Sequence, residues 1–83
     1  MNYRSRTEIV ANILEAAMGG VTISKVQYKT FLGHRQLKEY LALLVEKGLV
    51  HYDKINSEYR TTEKGTRFLK LYEKLGEIWR MPK

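Results

Sequence analysis

The chain is 83 residues long, enough for one small domain, and its 43% hydrophobic and 29% charged content is that of a folded soluble protein rather than a disordered one. It has no cysteine and only two histidines, so disulfides and thiolate metal sites are excluded and little remains from which to build a metal or acid–base centre. The formal charge of +6 points toward nucleic acid as a partner, while the lack of a long apolar run or a signal-peptide pattern predicts a cytoplasmic protein without a membrane span.

The first periodic stretch runs from Thr7 to Met18, where Ile9, Val10, Ile13, Leu14 and Ala17 share one arc of a helix. Ser5 or Thr7 can cap its start, and Gly19 and Gly20 end it. Thr22 and Ser24 then offer caps for a short helix through about Thr30, with Val26 turned inward and Phe31 a candidate to join it. Phe31, Leu32 and Gly33 read as a tight turn. From His34 the helical pattern resumes, with Leu37, Tyr40, Leu41, Leu44 and Val45 at spacings of three and four, until Lys47 and Gly48 stop it.

Beyond Gly48 the period changes. Leu49 to Tyr52 and Glu58 to Thr61 favour strands, and the polar run 53–57 between them predicts a hairpin turn. Thr62 caps a last helix carrying Phe68, Leu69, Leu71, Tyr72, Leu75, Ile78 and Trp79, within which Gly65 and Gly76 each cost about 1 kcal/mol relative to alanine. No repeat or linker divides the chain, so 1–83 is read as a single unit. Helix, helix, tight turn, helix, hairpin, helix is the plan of a winged helix-turn-helix: an α+β, mostly helical fold. The helix-turn-helix then spans about 22–47, the wing about 49–61 and the C-terminal helix about 62–80.

The residues that fill this plan also resemble a family. The run LKEYLALLVEKGLV (37–50), followed by YRTTEKGTRFLKLYEKL (59–75), is similar to archaeal ArnR-like winged-helix domains, which include small basic chromatin-associated proteins of Sulfolobus. SRTEIVANILEAA (5–17) and QYKTFLGHRQLKEYL (27–41) extend the resemblance over nearly the whole chain. It implies a three-helix core with a wing, DNA binding, and often dimerisation through the C-terminal helix. Members commonly carry Asn and Ser in the turn where this chain has Phe31 and Gly33.

In a helix-turn-helix the N-terminal part of the second helix meets base edges. Arg35, about 160° from Leu37 at 100° per residue, is the leading base-contact residue, because a guanidinium can bind guanine through two parallel hydrogen bonds. His34 and Gln36 reach a base or phosphate from the helix start, and Lys38, on a flank, suits a phosphate. Glu39 on the exposed face opposes phosphate unless it accepts from a cytosine amino group or, the favoured reading, pairs with Arg35 four residues earlier. Further phosphate contacts are expected from Thr22, Ser24, Lys25 and Lys29 in the preceding helix, and from Lys54, Asn56 and Arg60 in the wing. Arg4 and Arg6 either reach the backbone or form a basic terminus. Tyr28 is open between a contact and a core position; Tyr40, Tyr52, Tyr59 and Tyr72 are read as core or edge residues. His34 and His51 do not form a metal site, and no cofactor or small-molecule ligand is indicated.

On the last helix the apolar seam outruns what a three-helix core needs, so Leu71, Leu75, Ile78 and Trp79 are assigned to a homodimer interface, although the seam spans only about one and a half heptads. The expected function is non-enzymatic binding of double-stranded DNA, as a transcriptional regulator or a nucleoid-associated protein. The competing reading is a winged-helix module that docks another protein.

Overall fold

The architecture follows from a short series of local stop and start signals, seen in a computed structural model that describes the backbone of residues 4–80 and the side-chain surroundings of residues 4–76. Ser5 takes the cap of α1 (Arg6–Ala16) in a reciprocal capping box: the Glu8 amide donates to Ser5 Oγ at 3.1 Å and the Ser5 amide donates to Glu8 Oε1 at 3.0 Å. Ile9, Ala11, Ile13, Leu14 and Ala16 are buried along it. Past Gly19 and Gly20, Val21 pairs with Tyr59 through two backbone hydrogen bonds of 2.9 and 2.7 Å, adding a one-residue third strand to the wing. Nothing in the local pattern around Val21 had marked it as a strand.

Thr22 caps α2 (Ile23–Thr30) by accepting from the Lys25 amide, and Phe31 ends it in the left-handed conformation at φ 60°. That backbone turns the Phe31 side chain away from the core, where it is 86% exposed; the inward placement considered for it is wrong, and Leu32 fills the core instead. The helix α3 (His34–Glu46) buries Leu37, Leu41 and Leu44. Its apolar stripe is narrower than the spacing predicts. Tyr40 is half-buried and Val45 is 38% exposed, because both lie at the margins of the arc that carries Leu37, Leu41 and Leu44 into the core.

The end of α3 is a complete Schellman motif. The Leu49 amide donates to the Leu44 carbonyl, the Gly48 amide to that of Val45, and Gly48 takes φ +78°. Two side chains of the last helix reinforce the stop: Thr62 Oγ1 donates to the Gly48 carbonyl at 2.7 Å and Lys64 Nζ to that of Lys47 at 2.9 Å. Strands β1 (Val50–Asp53) and β2 (Glu58–Thr61) pair antiparallel, Val50 opposite Thr61 and Tyr52 opposite Tyr59. These four line the inner face, the tyrosine rings 4.8 Å apart, while His51 faces Arg60 across the outer side. Thr61 is buried and satisfied: its hydroxyl donates to the Leu14 carbonyl and its amide to that of Ala17.

Helix α4 (Glu63–Arg80) starts with Thr62 Oγ1 accepting from the Gly65 amide. Its first turns pack on α1 and β2 through Phe68 and Leu69, and Gly65 sits so close to the chain entering β1 that a methyl group there would collide with the Leu49 carbonyl oxygen and lie 2.7 Å from Thr61 Cγ2. Ile13, Leu14, Val26, Leu37, Leu41, Leu44 and Val50 form the centre of the core. Three packed helices, a wing and a fourth helix are therefore the observed fold.

Candidate nucleic-acid interface

With Leu37, Leu41 and Leu44 fixed in the core, helical geometry decides where the polar residues of α3 go. His34, Arg35, Gln36 and Lys38 are all exposed. They divide between two faces. Gln36 turns toward α1, where it lines a groove of about 500 Å³ with Arg6, Val10, Glu39, Tyr40 and Leu43. His34 and Lys38 lie on the opposite flank of the helix, and Arg35, one turn before Glu39, sits between the two sides. Glu39 borders the same groove as Arg6 of α1.

The N-terminus of α2 leaves Ser24 and Lys25 exposed, while Thr22, also exposed, uses its hydroxyl oxygen as the cap. Lys29 is placed differently: it borders a hollow over α1 with Asn12, Glu15 and Ala16. Arg4 is tied into the fold, its guanidinium donating to Asn12 Oδ1 at 3.1 Å and to the Thr30 carbonyl at 2.7 Å, the latter an acceptor left open at the end of α2. Tyr28, undecided from its spacing, is 79% exposed.

In the wing, Asp53 organises the tip. Its Oδ1 accepts from the Ile55 amide at 2.9 Å and the Asn56 amide at 3.3 Å, and its Oδ2 accepts from Asn56 Nδ2 at 2.8 Å. The bonds to Asn56 and Ile55 hold the Asp53 carboxyl below its ordinary pKa. Asn56 therefore spends one amide hydrogen inside the turn. Lys54 is exposed at the tip, and Ile55 beside it is 92% exposed. Arg60 sits further back, its guanidinium 2.9 Å from where a side chain at Gly20 would begin, with Glu58 over the same glycine. Burial, with the neighbouring Tyr52, pushes the Tyr59 hydroxyl up from its ordinary value.

Leu71 and Leu75 of the expected dimer seam are 65% and 53% exposed, whereas the side chains of Ile78 and Trp79 lie outside the described residues. Among the described residues, no group of three or more His, Asp or Glu could hold a metal ion, and no helix is long and apolar enough to cross a membrane.

No curated protein matches the chain. Among solved structures it is similar to Sso10a-2, a DNA-binding protein from Sulfolobus solfataricus, with a TM-score of 0.81 and 27% identity over 90% of this chain and 81% of that one. A family model described as winged helix-turn-helix matches residues 3–80. With nearly the whole chain matched, and three packed helices, an antiparallel wing and a fourth helix in the order that the fold requires, this protein belongs to the winged helix-turn-helix family and resembles archaeal members of it.

Proposed function

We propose that the domain binds duplex DNA without catalysing a reaction, inserting the start of α3 into the major groove. The observation that carries this reading is the exposed start of α3, where Arg35 stands opposite a fully buried Leu37 and His34 and Lys38 are exposed on one flank. Arg35 reads guanine, Lys38 and His34 engage flanking phosphates, and Gln36 reaches the rim from the α1 side. Thr22, Ser24 and Lys25 present the N-terminus of α2 to a phosphate, Lys54 and Asn56 do so from the wing tip, and Arg60 and Lys29 contribute less because of their placement beside Glu58 and Glu15. The DNA-binding description of the similar Sulfolobus protein supports the same reading.

Leu71 and Leu75, with Ile78 and Trp79 further along α4, form the interface of a homodimer in this proposal. Two copies would then present two recognition helices about 34 Å apart along one side of the duplex. Such a protein acts in the cytoplasm on the nucleoid, as a regulator or an architectural binder. Titration of random duplex DNA at two salt concentrations tests the core claim: affinity falls steeply with salt, and Arg35→Ala weakens it further. No binding at low salt would overturn it in favour of a protein-docking role. Selection from random duplexes separates the two DNA roles, since a regulator yields a sharp motif that Arg35→Ala abolishes.

A further inference from the structure

The wing tip carries a residue that the fold does not use. Ile55 is 92% exposed, more than any other large apolar side chain described, at a position where a polar residue would cost nothing. The turn bearing it is not loose. Asp53 anchors both the Ile55 and Asn56 amides and the Asn56 side chain, and Ser57 closes the turn in the left-handed conformation at φ 53°. Behind the tip the two strands are in full register, with the Tyr52 and Tyr59 rings packed at a tilt of 44°. A β-branched side chain with few rotamers is thus held at the apex of a narrow hairpin, with exposed Lys54 preceding it in the chain.

We infer that Ile55 is an apolar wedge, which the wing sets into the DNA minor groove to open a base step while Lys54 and Asn56 hold the flanking backbone. This rests on the duplex-DNA reading and adds distortion of the duplex to it. The chemistry fits the site: a minor groove about 6 Å wide is too narrow for a helix, and what enters it is the single side chain at the hairpin apex. Wedge residues that unstack a step are aliphatic or aromatic, and flexible pyrimidine–purine steps yield to them most readily. Preorganisation by Asp53 means that little order has to be created on binding.

The test uses the whole chain with duplexes containing a central TA step, labelled at both ends for energy transfer and carrying 2-aminopurine beside the step. Wild type brightens the 2-aminopurine and shortens the end-to-end distance. Ile55→Ser, at a fully exposed position, leaves the salt dependence unchanged, weakens binding roughly tenfold and abolishes both optical signals, whereas Ile55→Leu retains them. Wild-type binding with neither signal, or equal behaviour of Ile55→Ser and wild type, overturns the wedge and leaves the DNA reading standing. Absence of any wild-type binding overturns both.

Discussion

Single residues in this protein gain their meaning from what lies within a few ångströms of them. Gly65 illustrates it: in an isolated helix alanine there would gain about 1 kcal/mol, yet here the added methyl would strike the Leu49 carbonyl and crowd Thr61. The second effect is larger, so Gly65→Ala should destabilise the fold by about 1–3 kcal/mol in urea unfolding, and an unchanged or raised midpoint would refute the close approach. Asp53 acts on the wing through its charged form. Its folded pKa is lowered, so its hold on the tip is present at neutral pH and is lost as the pH falls through that lowered value, below the usual carboxylate range. Protection of the Ile55 and Asn56 amides, taken relative to their intrinsic exchange rate at each pH, should fall over that acid window, and Asp53→Ala should show the low protection at neutral pH as well.

At the scale of elements, each helix owes its ends to short-range chemistry and its orientation to a partner. The Ser5–Glu8 box starts α1, Thr22 starts α2, and the Gly48 motif with Thr62 and Lys64 stops α3 at the wing. Replacing Gly48 by alanine forces a side chain into φ +78° and should cost about 1 kcal/mol, readable as a lower melting temperature. The two sides of α3 make a functional prediction of the same order. Lys38→Ala should reduce the slope of log affinity against log salt by about one phosphate's worth, whereas Lys29→Ala, beside Glu15 over α1, should leave that slope nearly unchanged. Equal effects of the two would place DNA elsewhere on the domain.

For the whole molecule the decisive feature is α4. Its first turns close the core through Phe68 and Leu69, and beyond them Leu71 and Leu75 remain open to solvent. If two copies meet there, Leu71→Asp together with Leu75→Asp should convert a dimer to a monomer in sedimentation equilibrium while leaving the helical circular-dichroism signal in place. A wild-type monomer at high micromolar concentration would remove this assignment. Loss of the dimer should also weaken DNA binding severalfold, because the second recognition helix no longer shares the same duplex.

The order of elements, their approximate ends and the core residues Ile13, Leu14, Leu37, Leu41 and Leu44 were legible in the residues alone, since periodicity and capping are properties of neighbours along the chain. So was the exposed basic start of α3. Contacts between distant segments were not legible. The bridge from Val21 to Tyr59, the anchoring of Arg4 on Thr30, the outward turn of Phe31 and the partial exposure of Val45 all depend on which element arrives opposite them. The expected exposed basic face on the start of α3 has likewise been narrowed. Leu37 sets its direction by being buried, but only the tertiary structure shows that Arg6 and Val10 of α1 border the flank carrying Gln36, Glu39 and Tyr40, while His34, Arg35 and Lys38 stay exposed outside that groove. Spacing in the chain can state the angle between two side chains, whereas the surface each one meets is a property of the assembled core.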